Sequence, residues 1–438
     1  MMKQNILPFK LLNSNELITA NSGLMIYLEM YKGLKFDKSI RELFPKPGSA
    51  KGFEAKYYVL SIILLFLLDG KYIEDVRKVK LDRAMRKLSK LKTVPTSDAI
   101  GNWMRNDSEQ KIQAIKKLHR KFTKRFLKLV KRKEHILDID AFQIYSDKEE
   151  ANYSYKGEKG YMPIAAHLAD LDWCIAYKFR EGQISPADDN LEIIQESFNN
   201  LPSDHKIIAV RSDSASYQAK IFNWLDQKSV KFTITGAEKG SQIIKEIEAI
   251  PQKEWKRLKD KNGVFTDRTY AETYHKMEKT EYFRIVIQRW PNPKKDLFGE
   301  ERDYCYYIIC TNYSLEEKTA SEIIYFHRGR CNSENYYKET KGGFNLNYLP
   351  CGDFKANAIW FALGLMAYNF HIFTKECLLP KSWRKKTISR IRFELIHIAG
   401  KITYHAKQLY LNLAGISDEV FYIFDQARKR LAKICFQT

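Results

Sequence analysis

The chain has 438 residues, of which 44% are hydrophobic and 13% aromatic. This composition excludes a disordered protein, and the length predicts roughly two to four domain-sized units. Lysine and arginine outnumber aspartate and glutamate by 74 to 53, and the resulting net charge of +21 favours a polyanion such as nucleic acid as the partner.

Several other classes of protein are disfavoured. Two apolar runs, 57–68 and 358–368, are shorter than the roughly 20 residues that cross a bilayer, so they predict buried helices rather than membrane spans. The N-terminus lacks a signal-peptide pattern, and we expect a cytoplasmic protein. Seven cysteines without a CxxC pair, and nine histidines without ligand spacing, predict neither a disulfide framework nor a zinc site.

Residues 1–133 have apolar positions at helical spacing, which predicts a helical region, and its basic residues make it the expected DNA-binding region. Its clearest helix covers 111–133, where 11 of 23 residues are lysine or arginine and none is acidic. This basic face either contacts phosphates or is simply solvated, and the sequence favours neither interpretation.

From residue 134 the pattern changes to short apolar strands that alternate with helices, which predicts an α/β domain with a mixed sheet covered by helices. Its first part covers 134–237, with strands at 135–141, 163–168, 173–179, 206–210 and 230–235 and helices at 188–199 and 215–227. A β-rich insertion follows at 238–314. A long helical pattern from Leu315 to Gly342 opens the second part of the core, 315–380, and a helical C-terminal region is expected at 381–438.

Acidic residues stand where burial is expected. Asp138 and Asp140 are two apart in an apolar strand, so both should lie on one face of the sheet, and a carboxylate there is costly unless it is paired or binds a cation. Asp213 follows another apolar run, although it could also cap the next helix. Arg330, Glu334 and Lys341 have spacings that align them on one helical face, or they form surface ion pairs.

Four segments, LDIDAF, REGQISPADDN, VRSDSASY and RCNSENYYKETKGGFNLNYLP, occur in an order that resembles the DDE transposases of bacterial insertion sequences. The similarity extends over about 134–373, and it points to the branch with a Tyr-Arg-Glu-Lys signature and a β-rich insertion. Where that signature has a tyrosine, this chain has His327, with Tyr325 two positions earlier. Ala141 and Phe142 also differ from the small hydroxyl residues of many relatives.

The resemblance implies a ribonuclease-H-like core in which Asp140, Asp213 and Glu334 are catalytic and hold two Mg²⁺ ions, with Mn²⁺ as a substitute. Asp138 is the weaker alternative for the first aspartate. The implied DNA contacts are Arg330, Lys341, Lys338, His327, Tyr325 and Trp290. Trp290, in the insertion, either stacks on an unpaired base or is a half-buried core residue.

The family also implies cut-and-paste transposition. The expected partners are the double-stranded DNA of transposon ends and target, a second copy of the chain on DNA, and no membrane; the protein would associate with the nucleoid when it acts. Two alternatives remain, a domesticated DNA-binding protein without catalysis and a ribonuclease-H-like nuclease that cuts without joining. The sequence does not decide whether a hairpin forms on the excised end.

Overall fold

The computed structural model describes residues 10–48, 52–237, 241–292 and 303–437. The chain folds as two compact units, one formed by Met1–Ile100 with Cys377–Thr438 and the other by Gly101–Glu376. Within the described ranges, none of the helices has the length and apolar character needed to cross a membrane.

The N-terminal segment of the first unit is helical, as the sequence predicts. Its apolar run forms a helix that is buried on every side, and Ile62, Leu64 and Phe66 are almost completely covered. In chain order the elements are β1 (Ile18–Thr19), α1 (Leu24–Gly33), α2 (Phe36–Leu43), α3 (Ala55–Leu67), α4 (Val76–Leu81), α5 (Arg83–Leu88) and α6 (Ser97–Arg105), which contains the boundary between the units.

The second unit carries most of the strands. Its elements up to residue 235 are α7 (Ser108–Leu129), β2 (Glu134–Ala141), β3 (Ile144–Tyr145), β4 (Asn152–Tyr153), β5 (Lys159–Tyr161), β6 (Ile164–Leu168), β7 (Trp173–Lys178), α8 (Asn190–Asn200), β8 (Lys206–Ser212), α9 (Ala219–Gln227) and β9 (Lys231–Thr235). They continue with α10 (Ser241–Glu248), β10 (Lys256–Lys259), β11 (Phe265–His275), β12 (Phe283–Pro291), β13 (Tyr304–Thr311), α11 (Ala320–Arg328), α12 (Ser333–Lys338) and α13 (Phe354–Phe373).

Nine of these strands form one mixed sheet in the order β10-β11-β12-β13-β9-β8-β2-β6-β7. β2 pairs in parallel with β8, and β8 with β9, whereas β6 and β7 are antiparallel to their neighbours. The block β7-β6-β2-β8-β9, with α8 and α9 between its later strands, has the arrangement of a ribonuclease-H-like fold. The predicted fold class is therefore confirmed.

The β-rich insertion extends this sheet. β13 pairs antiparallel with β9 through Ile309 and Thr235, and β12, β11 and β10 follow outward from it. A smaller three-stranded sheet, β3-β5-β4, follows directly after β2.

Helix α7 belongs to the second unit, although the sequence assigned it to the N-terminal region. Its Phe126 stacks on Trp173 of β7 with ring centroids 4.0 Å apart, and its Phe122 packs on Phe370 of α13 at 4.9 Å. On its basic side, Lys116 pairs with Glu196 at 3.2 Å and Arg120 donates to the Asn199 carbonyl at 2.6 Å. Two basic residues of this helix, for which the sequence left phosphate contact and a solvated face equally open, are thus engaged with α8, while Lys117, Lys121 and Lys128 are exposed.

The C-terminal segment returns to the first unit. Its Arg392 is buried and donates to the carbonyls of Phe66 and Leu67 at the end of α3, at 2.7 and 2.9 Å, so it satisfies carbonyls that the helix leaves without partners. Its elements are α14 (Ile388–Ile391), β14 (Gly400–His405), β15 (Gln408–Leu413) and α15 (Asp418–Gln437). The β14–β15 hairpin is a difference from the helical region that the sequence predicts.

Candidate active site

Asp140 and Asp213 lie side by side at one edge of the central sheet. The parallel register pairs Ile139 of β2 with Ser212 of β8. The residue that follows each of them is one of the two aspartates, Asp140 after Ile139 and Asp213 after Ser212. Neighbouring strands are about 4.8 Å apart, and the carboxyl ends of parallel strands are the usual location of sites in α/β folds. The structure therefore brings together two of the three predicted catalytic acids.

Their surroundings change how readily these two acids ionise. Burial, together with the negative charge of Asp213, raises the pKa of Asp140 to about 7, because two like charges at short range disfavour each other. Burial also raises the pKa of Asp213. One oxygen of Asp213 accepts from the Ala215 amide at 3.0 Å, so the capping role that the sequence left open is also present. A pair of partly buried acids of this kind is stabilised by a cation.

Arg330 is such a cation. Its Nη1 lies 3.7 Å from Oδ2 of Asp140, and its positive charge opposes the rise in the pKa of both Asp140 and Asp213. Its Nε is buried and has no hydrogen-bond partner in the described part of the chain. The guanidinium is therefore only partly satisfied where it lies.

Asp138 has a different environment from Asp140, although both lie on the same strand. Its two oxygens accept from Nε and Nη2 of Arg211, at 2.7 and 2.8 Å, and both side chains are almost fully buried. This bidentate ion pair explains how a carboxylate is tolerated inside an apolar strand. Because both oxygens of Asp138 are occupied, Asp140 is the better candidate for a metal ligand.

Glu334 is not grouped with the two aspartates in the described residues, and its side chain is exposed. It is the second residue of α12, and that helix is fixed to the core by Tyr336 and Tyr337. The Tyr337 hydroxyl donates to the carbonyl of Asp140 at 3.1 Å, and the Tyr336 hydroxyl donates to the carbonyl of Ala169 at 3.1 Å. The helix is thus placed beside β2 while its predicted acid points to solvent.

Across residues 10–48, 52–237, 241–292 and 303–437, no three or more histidine, cysteine, aspartate or glutamate side chains are grouped so that they could hold a metal ion. Asp140 and Asp213 nevertheless provide hard oxygen ligands of the kind that Mg²⁺ prefers. Asp140 and Asp213 therefore fit a divalent cation as a two-carboxylate site, whereas Glu334 of α12 is not grouped with them in the described part of the chain.

The segment after α11 is not the continuous helix that the sequence predicts. α11 ends at Arg328, a 3₁₀ turn covers Gly329–Asn332, α12 covers Ser333–Lys338, and a π turn covers Glu339–Gly343. Helical geometry therefore changes twice between Arg330 and Lys341, and the predicted common face does not follow from their spacing.

The predicted DNA contacts have different surroundings. The half-buried Lys341 donates to the Gln143 carbonyl at 2.9 Å and lies over the Phe142 ring at 4.9 Å, whereas Lys338 is exposed. His327 is buried, and its ring nitrogens lie 3.0 Å from the hydroxyls of Thr233 and Thr235.

Tyr325 and Trp290 each contact residues of the β-rich insertion. Tyr325 is half-buried and its hydroxyl donates to the Lys259 carbonyl. Trp290 is half-buried with Arg268 over its ring at 4.3 Å, which is the alternative environment that the sequence left open. A role in DNA binding stays a prediction for each of these residues.

A family model described as the transposase DDE domain, group 1, matches residues 10–434, nearly the whole chain. The chain belongs to this family. No curated protein matches it. Among solved structures, this member of the DDE transposase family is similar to a piggyBac transposase, described as a synaptic complex with hairpin DNA. The similarity has a TM-score of 0.45 and 7% identity, and it covers 97% of this chain and 84% of the other.

Two features of this site were not predicted. The pairing of Asp138 with Arg211 could have been found, since Asp138 is a second aspartate in a buried strand and Arg211 is the penultimate residue of the neighbouring strand. The hydrogen bonds of Tyr336 and Tyr337 could not have been predicted, because nothing in a tyrosine pair on a polar helix indicates which carbonyls the hydroxyls will bind.

Proposed function

We propose that this protein is a DNA transposase of a bacterial insertion sequence that cuts and joins strands at the ends of its element in cut-and-paste transposition. The observation that supports this most directly is the pair of aspartates, Asp140 and Asp213, side by side at the carboxyl edge of parallel strands and with Arg330 beside them. Membership of the DDE transposase family supports the same reaction class.

In this proposal, Asp140, Asp213 and Glu334 hold two Mg²⁺ ions, for which Mn²⁺ substitutes. When bound, such ions make the attacking oxygen nucleophilic and neutralise the charge on the leaving oxygen. The two aspartates must be deprotonated to act as ligands. A cation in place of Arg330 would compensate for their mutual repulsion. Glu334 is already exposed and close in sequence to the segment that contacts Asp140.

The cationic residues around this edge would hold the DNA backbone. Arg330 presents a planar, partly unsatisfied guanidinium beside Asp140, which suits a phosphate next to the cut bond. Lys341 and the exposed Lys338 would contact neighbouring phosphates, and Trp290 would stack on an unpaired base. His327, which is buried, would support α11 from inside the fold.

The partners in this proposal are the double-stranded DNA of the element's ends and of the target, with two copies of the chain joined on DNA. The net charge of +21 supports binding to a polyanion. The branch with the Tyr-Arg-Glu-Lys signature is the one that Arg330, Glu334 and Lys341 match by spacing, with His327 in place of the tyrosine.

The test is a gel assay with purified protein, Mg²⁺ and a duplex that carries the element's own end. We expect strand cleavage and then joining by the wild type, and loss of both by Asp140→Asn, Asp213→Asn and Glu334→Gln with DNA binding retained. Glu278→Gln, another exposed glutamate in the same unit, is the matched control and should cut normally. Normal cleavage by Asp213→Asn would reject the assignment.

A DNA-binding protein without catalysis is the second candidate, since Glu334 is not grouped with the aspartates in the described residues. The same gel separates the two: wild-type protein that shifts the duplex but never cuts it, with either metal, would favour this alternative.

A further inference from the structure

Arg211 links the elements that carry the candidate catalytic residues. It lies on β8, two residues before Asp213. Its guanidinium donates two hydrogen bonds to the carboxylate of Asp138, which lies on β2 two residues before Asp140. A planar guanidinium that makes two parallel hydrogen bonds fixes both the distance and the orientation of its partner. The two strands are therefore held in register at the point where the aspartates emerge.

The same guanidinium also reaches the helix that precedes Arg330 and Glu334. Its Nη1 donates to the Phe326 carbonyl at 3.0 Å, and its plane lies over the Phe326 ring at 5.3 Å. This carbonyl belongs to the last turn of α11, and it also accepts from the Gly329 amide at the end of that helix. One side chain thus contacts both strands and the end of this helix.

The backbone beside Arg211 leaves no spare room. A Cβ atom added to Gly329 would lie 2.0 Å from Nη1 of Arg211, so the 3₁₀ turn approaches the guanidinium more closely than any other residue type would allow. Gly329 begins the 3₁₀ turn that carries Arg330 and leads to Glu334. The position of that turn is consequently set by contact with Arg211.

Stability by itself does not account for this arrangement. Replacing a buried ion pair by apolar residues of similar size is often neutral or stabilising, because the charges no longer have to be taken out of water. Burying the Asp138–Arg211 pair costs desolvation free energy, and yet its side chains connect β2, β8 and α11. This arrangement is consistent with a role in fixing the geometry of the site.

We propose that Arg211 is a positioning residue, which sets the placement of Asp140, Asp213 and the Arg330–Glu334 segment relative to one another through Asp138 and the Phe326 carbonyl. This inference rests on the proposed function, because it assigns a role in assembling that metal site. Arg211 itself is too deeply buried to touch DNA or a metal ion.

The decisive variant removes the whole ion pair. Asp138→Leu with Arg211→Met keeps the volume apolar, so we expect a melting temperature within about 5 °C of wild type. The variant should nevertheless bind Mn²⁺ about 10- to 100-fold more weakly in calorimetry and cut the DNA end about 100-fold more slowly, because misplacement by about 1 Å is costly. Its affinity for the DNA end should stay within about twofold, since exposed cations supply that affinity.

A second variant leaves both charges in place. Gly329→Ala should reduce Mn²⁺ affinity and cleavage in the same way by pushing the 3₁₀ turn away from Arg211. The matched control is Gly352→Ala, where an added Cβ meets nothing within 4 Å, and it should behave as wild type.

The outcomes distinguish failure of the proposed function from failure of the positioning role of Arg211. If the wild type neither binds Mn²⁺ nor cuts, the proposed function fails. If the wild type is active and the folded double variant matches it in Mn²⁺ affinity and cleavage, Arg211 is not a positioning residue. Should the double variant fail to fold, a Gly329→Ala protein with normal Mn²⁺ affinity and cleavage would refute the proposal equally well.

Discussion

His119 should make the second unit sensitive to acid. It lies on α7, is almost fully buried, and accepts a hydrogen bond at its Nε2 from the Asn369 side chain at 2.9 Å. Asn369 also bonds to both the amide and the carbonyl of Cys174, so its orientation is fixed and it presents its NH₂ group to the imidazole. A protonated His119 could not accept this bond, and its charge would be buried.

The size of the stability loss at low pH follows from the shift in the pKa of His119. Burial lowers the pKa of His119 to about 4 from an ordinary value of 6.5. The unfolded chain therefore binds a proton at a higher pH than the folded chain does. The contribution of His119 to stability is complete above about pH 6.5 and is lost as the pH falls towards 4. At about 1.4 kcal/mol for each tenfold change in proton affinity, the loss is about 3 kcal/mol.

The assay compares urea unfolding of wild type and His119→Gln between pH 7 and pH 4, because glutamine keeps an acceptor for Asn369 but cannot be protonated. His167 is also buried with its pKa lowered to about 3, so the wild type has more than one acid-sensitive group and only the difference between the proteins isolates His119. We expect His119→Gln to lose about 3 kcal/mol less than wild type over this range.

The exposed His405, changed to Gln, should leave the wild-type pH dependence intact. Identical pH dependence in wild type and His119→Gln would refute the reasoning.

Two further predictions concern the candidate site. Arg330→Gln should increase the affinity for Mn²⁺ at pH 8 about fivefold, since the partly exposed pair with Asp140 is worth up to about 1 kcal/mol and competes with the metal; weaker Mn²⁺ binding in calorimetry would contradict this. Lys341→Ala should lower the slope of DNA affinity against salt concentration by about one, because one phosphate contact is lost. A salt titration by fluorescence anisotropy measures that slope, and an unchanged value would exclude the contact.

The central sheet was predictable because its strands are buried on both faces. The runs at 163–168 and 206–210 are mostly apolar, and 135–141 is apolar apart from His135 and the two aspartates; the structure has strands at Glu134–Ala141, Ile164–Leu168 and Lys206–Ser212. Apolar strand runs that alternate with helical segments predict a sheet with helices packed on both faces.

The C-terminal hairpin could not be read in the same way. Its turn places Ala406 and Lys407 at positive φ, 47° and 60°, a conformation for which glycine, asparagine and aspartate are the usual signals. Alanine and lysine are instead good helix formers, so local preference indicates a helix. Pairing of Gly400–His405 with Gln408–Leu413 overrides that preference.

The two aspartates and the glutamate differ in how far the sequence could place them, and the reason is the kind of element that carries each. Asp140 is on β2 and Asp213 directly follows the paired strand β8, so the register of the two strands sets their separation. Glu334 depends on the rotation per residue along a helical segment, which is about 100° in an α-helix and about 120° in a 3₁₀ turn. Over the four residues of Gly329–Asn332 the excess reaches roughly 80°, enough to turn Glu334 towards solvent while Arg330 faces Asp140.

This rotation also shows why the Glu334→Gln variant is the most informative one at this site. A four-residue change from 3₁₀ to α geometry would turn Glu334 back by the same angle, and it would move Arg330 relative to Asp140 in the same step, because both residues are on one short segment. Loss of cleavage in Glu334→Gln would require that the exposed carboxylate reaches the aspartates in the working complex. Cleavage that survives this substitution but not Asp213→Asn would mean that two carboxylates suffice and that the 3₁₀ turn after α11 persists in the working complex.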